Sequence, residues 1–132
     1  LDERFGWSPN LPLVLSLLAL LVAAFGYGLV TWSMVANAYF ATVSRIQTER
    51  QQRVASGGPY HYLRHPGYTG AILFDLATPL ALGSLWALLP GVIAALLMVV
   101  RTGLEDRMLQ HELLGYRDFA RQTRYRLLPG VW

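Results

Sequence analysis

"GYTGAILFDLATPLALGSLWALLPGVIAALLMVV", residues 67–100, carries one charge, Asp75, in 34 positions. A single straight helix of that length would run to roughly 50 Å at ~1.5 Å per residue, well beyond the ~30 Å hydrocarbon core of a bilayer. "LGSLW" (82–86) supplies the break. The stretch therefore reads as a transmembrane hairpin with spans over 67–83 and 85–100 and Trp86 near its outer turn. Each arm covers roughly 25 Å, a little short, which bilayer thinning and an interfacial tryptophan accommodate. Pro79 and Pro90 are expected to kink the arms, which neighbouring helices tolerate in lipid.

Upstream, residues 5–44 contain no charge at all. Within them 11–36 is mostly Leu, Val and Ala, and as a helix it would reach roughly 39 Å, a tilted span with interfacial ends. A signal peptide does not fit, because no basic region precedes the run and the run is too long. The fold expected is thus all-α and integral to a membrane, about three transmembrane helices in a single domain over 1–132. The chain opens on leucine, so further residues are expected upstream.

The composition agrees: 54% hydrophobic and 14% charged, with no cysteine for disulfides or thiolate metal sites. All eleven basic residues are arginine, and ten of them follow Ser44. They flank apolar segments and form no separate basic face, so topology explains them better than nucleic acid does. Arg45, Arg50, Arg53 and Arg64 lie in the loop 45–66, and six more lie in 101–132. Both segments are expected on the cytoplasmic side, with the N-terminus outside. A hairpin between them returns the chain to the side it left, so the two polar segments become neighbours.

The first of these ends in "GGPYHYLRHPGYTG" (57–70), four glycines, two prolines, two histidines, an arginine and three tyrosines in fourteen positions. Gly57 and Gly58 permit close backbone approach, and the prolines push the residues before them toward extended geometry. Such a ribbon suits a flat polar ligand such as an adenine nucleoside; a structural loop with an interfacial tyrosine belt fits the same pattern. His61 and His65 have the spacing of a helical metal pair, but Pro66 removes the helix that would give the spacing meaning. "HELLG" (111–115) begins like a zinc-protease helix and has Gly115 where the second histidine belongs. No metal site is expected. Neither a Rossmann glycine pattern nor a P-loop is present.

In the second segment, Arg101 and Glu105 share a helix face. They form either a weak intrahelical pair or a fork for a carboxylate beside a glutamate for an ammonium or ribose hydroxyls. Asp106, Arg107 and Glu112 are expected to solvate the helix. Asp75, mid-span, is left outside the site. Gly115 is expected to end the preceding helix, and Tyr116 and Phe119 to lie on one side of a short helix suited to the membrane surface. The final "YRLLPGVW" (125–132) is too punctuated for a span and is expected to pack back on the catalytic face.

From about Asn37 onward, "GGPYHYLRHPGYTG", "RTGLED" (101–106) and "GYRDFARQTRYRLLPG" (115–130), in this order around a hairpin, resemble the isoprenylcysteine carboxyl methyltransferase family. The resemblance implies an integral-membrane, multi-pass methyltransferase using S-adenosylmethionine, with its active site on the cytoplasmic face. Tyr60, His65, Pro66, Gly67 and Tyr68 would line the cofactor, as would Glu105. Gln52, Arg53, Val54 and Ala55 would contribute mainly backbone, and Arg101 would orient the acceptor carboxylate. The partners implied are a lipophilic or lipidated acceptor and membrane lipids. A phospholipid amine or a thiol as acceptor, an NADPH-dependent sterol reductase and a non-enzymatic adaptor are the alternatives.

Overall fold

Proline and glycine set where the helices begin and end. The computed structural model describes residues 2–41, 46, 49 and 51–132, Glu3 by its backbone alone. In chain order these form α1 (Asp2–Phe5), α2 (Leu13–Ala36), a 3-10 turn (Gly58–His61), α3 (Pro66–Ala81), α4 (Leu88–Glu112) and α5 (Tyr116–Gln122). No strand occurs among the described residues, so the all-α expectation holds and a Rossmann sheet is not found there. α2 follows Pro12 and α3 opens on Pro66, where a missing N–H costs nothing because the first turn has no intrahelical acceptor for it. Gly115, at φ +83, takes the left-handed conformation that turns the chain from α4 into α5.

The expected hairpin forms, with its turn at 82–87, but its arms are unequal. α3 stops at Ala81 after 16 residues, roughly 24 Å, a little less than the ~30 Å hydrocarbon core and a deficit that bilayer thinning can accommodate. α4 does not end at Val100. It runs unbroken for 25 residues to Glu112. Val100 to Arg101 is a change of solvent rather than of backbone preference, since Arg, Leu, Glu and Met are all good helix formers. The turns after Val100 carry Arg101, Glu105, Asp106 and Arg107 beyond the apolar stretch.

α2 and α4 are long and apolar enough to cross a membrane. Their outward faces present Leu17, Leu18, Leu21 and Phe25, and Leu89, Leu96, Leu97 and Val100, all exposed. A contiguous apolar exterior of this extent belongs in lipid. The protein is a membrane protein.

Between the helices the contacts are made by small residues. α2 buries Ala19, Ala23, Gly26 and Ser33, and α3 buries Gly67, Thr69, Gly70 and Ala77. A Cβ at Gly26 would lie 2.6 Å from the Gly70 carbonyl oxygen, and one at Gly70 would lie 2.5 Å from that of Gly26. Backbone therefore touches backbone at this crossing, as small residues allow in membranes. Gly91 repeats the device between α4 and α3, where a Cβ would meet the Asp75 carbonyl oxygen at 2.7 Å.

The two ends of the bundle differ. At the hairpin turn, the Asp2 carboxylate accepts hydrogen bonds from the Ser8 amide (2.7 Å) and hydroxyl (2.6 Å) and from the Ser84 hydroxyl. Trp7 stands edge-on to Trp86, 6.2 Å between ring centroids. At the other end meet the C-termini of α2 and α4, the 3-10 turn, the start of α3, α5 and the tail.

Candidate functional site

That second end is held together from below by apolar rings. Tyr60, Leu113, Tyr116 and Phe119 form a buried cluster, with Ala36, Val54, Ala55 and Leu109 packed against it. Tyr116 and Phe119 thus face inward, 4% and 7% exposed, and not toward a membrane surface as expected. The reason is that α5 folds back under residues 52–55. The expected return of the tail does occur. The Arg64 and His65 amides donate to the carbonyls of Tyr125 (2.9 Å) and Arg126 (3.0 Å), and the Thr69 hydroxyl donates to that of Leu127 (2.8 Å).

Above the cluster lies a cleft of about 770 Å³, counted out to its open mouth. Gln52, Arg53, Val54, Ala55, Tyr60, His65, Gly67, Tyr68 and Glu105 all line it. Two expected residues do not. Pro66 is fully buried behind the cleft as the first residue of α3, where it shapes the backbone and offers no surface. Arg101 sits one turn before Glu105, outside the lining, with its guanidinium carbon 5.4 Å from the Tyr68 ring centroid. Its Nε is 3.9 Å from a Glu105 carboxylate oxygen. Asp75, on α3, and the exposed His61, whose ring stands edge-on to Tyr62, are also outside it. Among the described residues no group of His, Asp and Glu could hold a metal ion. Arg45 and Arg50 of the loop lie outside the described residues.

Across the cleft, the Tyr68 hydroxyl donates to the Glu105 carboxylate at 2.6 Å. This bond joins "RHPGY" to "RTGLED" over the hairpin. His65 stacks on Tyr68, 5.7 Å between centroids and 4° from parallel. The Tyr60 hydroxyl reaches back to α2, accepting from the Asn37 amide nitrogen at 3.3 Å.

Sequence reasoning missed the residue that organises this end. Asp106 is not a solvating charge; it is wholly buried. Its carboxylate accepts from Arg64 Nη1 (2.8 and 2.9 Å), Arg126 Nε (2.9 Å), the Tyr116 hydroxyl (2.9 Å) and Gln110 Nε2 (2.8 Å). His65 Nε2 is 3.4 Å away. One carboxylate thereby ties the start of α3, α4, α5 and the tail. Burial pushes its pKa up, but the hydrogen bonds from His65 and Arg126, the charge of Arg64 and the bond from Tyr116 outweigh burial and hold it well below the usual carboxylate range. Burial, followed by the charge of Asp106, pushes the Tyr116 phenol far up, and burial raises Tyr60. A signal was present in the sequence. Thr102, Asp106 and Gln110 are four apart, and with Leu113 they form a stripe distinct from the face of Arg101 and Glu105. Thr102 is wholly buried too. Arg107 and Glu112 are exposed, as expected.

Tyr39, Phe40, Tyr60, Tyr68, Tyr116 and Phe119 surround the cleft, with Glu105 the one carboxylate among the described residues that line it. Aromatic faces beside a carboxylate stabilise a cation. Residues 52–56, which lie in no helix, add backbone for a polar ligand. The donor set fits a sulfonium nucleoside such as S-adenosylmethionine.

The sequence model of the family described as phospholipid methyltransferase matches residues 14–113, from α2 to the end of α4. No curated protein matches the chain.

Proposed function

The chain belongs to the phospholipid methyltransferase family, a family of membrane methyltransferases, and from that premise we propose that it methylates the amine of a phospholipid headgroup with S-adenosylmethionine. The observation that carries this reading is the cleft itself. Aromatic rings and Glu105 close it at the polar end of helices whose other faces are apolar, where a lipid headgroup lies. α2, α3 and α4 cross in turn, and the arginine-rich end with the cleft is cytoplasmic.

Gln52, Arg53, Val54, Ala55, Tyr60, His65, Gly67, Tyr68 and Glu105 would hold the donor. When bound, S-adenosylmethionine supplies an electrophilic methyl group on a cationic sulfur. The chain's part is to hold the two reactants in line and to keep water out, and positioning of this kind contributes several kcal/mol. Glu105 is kept in place by the Tyr68 hydroxyl. The apolar floor of Leu109, Leu113 and Phe119 excludes water from below.

A second reading, carboxylate methylation of an isoprenylcysteine-like lipid, is favoured by Arg101, whose guanidinium stands over Tyr68 beside Glu105. One experiment separates the two. The protein in phosphatidylcholine nanodiscs is titrated with S-adenosylmethionine by calorimetry, then given labelled donor with phosphatidylethanolamine or with a prenylated cysteine acid. Glu105→Gln is expected to weaken donor binding about tenfold, consistent with loss of a charged hydrogen-bond partner of ~1.5 kcal/mol. Label in the amine lipid supports the first reading. Label in the acid alone, lost in Arg101→Lys while donor binding persists, selects the second. No donor binding refutes both.

A further inference from the structure

A phospholipid amine is an ammonium ion at neutral pH and has no lone pair to attack with, so this acceptor needs a base. We propose that His65 is that base, with Asp106 as the positioning residue that fixes its tautomer. The inference rests on the amine reading above.

The cleft offers few alternatives. Tyr60 and Tyr116 are buried phenols whose pKa values are raised, so they stay protonated. A guanidinium offers donors only and no lone pair for a proton. Glu105 accepts from Tyr68, and a carboxylate is too weak a base to match an ammonium well. Imidazole is the side chain that titrates nearest neutrality. His65 lines the cleft and is 6% exposed. Its polar side-chain contacts, to Asp106 and to the Tyr116 hydroxyl, both at 3.4 Å, are made by Nε2. Nδ1 has no hydrogen-bond partner among the described residues. A carboxylate at Nε2 keeps the proton there, which leaves the Nδ1 lone pair as the basic site.

Other charged and titratable groups bear on this ring. Asp106 and Glu105 come from α4, Tyr68 from α3, Tyr116 from α5, Tyr60 and Arg64 from the turn before α3, and Arg126 from the tail. Arg64 and Arg126 both bind Asp106, so that carboxylate stays ionised and accepting. In the step itself, an ammonium N–H bond breaks and the proton passes to Nδ1. The freed pair forms the N–C bond as the methyl–sulfur bond breaks, and that bond's electrons remain on sulfur as a neutral thioether. The imidazolium then returns its proton to water.

The test uses His65→Gln, whose amide can still donate toward Asp106, and Asp106→Asn as a second variant. Turnover of dihexanoylphosphatidylethanolamine is followed from pH 6.5 to 9.5 at saturating S-adenosylmethionine, in phosphatidylcholine nanodiscs. His65→Gln is expected to lose about 10²-fold at pH 7, the lower end of general-base contributions, and Asp106→Asn, which also loosens the tail, at least as much. The loss in His65→Gln should shrink severalfold or more by pH 9.5, where far more of the amine is neutral than at pH 7. Carbon NMR of the imidazole ring, assigned by loss of the signal in His65→Gln, is expected to show the Nε2–H tautomer in the wild type without donor or acceptor. In His65→Gln a loss equal at both pH values or no loss, or in the wild type the Nδ1–H tautomer, overturns the base while leaving amine methylation standing. Methyl transfer by the wild type to acids alone overturns both, with donor binding intact.

Discussion

Asp106→Asn removes one charge from the centre of the polar end and leaves its volume unchanged. The asparagine oxygen can still accept from Arg64 or Tyr116. Its amide nitrogen, however, must face Arg126 Nε or Gln110 Nε2, now 2.9 and 2.8 Å from the carboxylate, and donor then meets donor. Arg64, 9% exposed, is left without its counter-charge. Breaking a buried pair on one side costs about 3–5 kcal/mol. The lower end applies, because the partly exposed side chain of Arg126 can rehydrate. The cost falls on the docking of the tail, so it reads out where the tail is tied. The Arg64 and His65 amides, which donate to the carbonyls of Tyr125 and Arg126, should exchange with deuterium about a hundred- to a thousandfold faster, at ~1.4 kcal/mol per tenfold. Mass spectrometry of the peptide spanning 62–68, in nanodiscs, measures this. Asp118→Asn is the control. Its pair with Arg121, at 3.3 Å, is mostly in water and contributes at most about 1 kcal/mol. Exchange at Arg64 and His65 within about threefold of wild type would refute the argument that Asp106 holds the tail.

The same probe reports on pH: because the folded pKa of Asp106 lies below the unfolded one, its contribution is complete above the unfolded value of ~3.9 and disappears as pH falls through the folded value. Protection of the two amides should therefore be level from pH 8 to 5 and fail only below about pH 4; decay above pH 5 would contradict the assignment. Gly26→Ala should destabilise the bundle by about 1–3 kcal/mol, since its Cβ strikes the Gly70 carbonyl oxygen. Gly28→Ala, two residues along the same helix with open space at its Cβ, should be neutral or stabilising by up to ~1 kcal/mol, and equal melting shifts for the pair would discard the close crossing. Single cysteines placed at Ser56 and Gln122 in this cysteine-free chain should label from one side of the membrane and one at Asn10 from the other; a different pattern rules out three crossings.

The sequence alone was enough for what depends on solvent and on local backbone. Long charge-free runs ended by arginine demanded apolar helices. Glycine and serine at 83–84 placed the hairpin turn, and Gly115 marked the turn that leads from α4 into α5, because these features act over a few neighbouring residues. The motif residues Tyr60, His65, Gly67, Tyr68 and Glu105 were legible for a related reason. A hairpin brings its two ends together whatever its detailed packing, and the structure places all five on the cleft. Only tertiary structure decided between Glu105 and Asp106. Adjacent acids on a helix point about 100° apart, so one faces the cleft and the other faces inward. Which one is inward depends on where α5 and the tail dock. Arg64, Tyr116 and Arg126 come from distant parts of the chain, and each is unremarkable within its own segment. Their meaning arises at Asp106, where a buried charge requires partners that no local pattern could name.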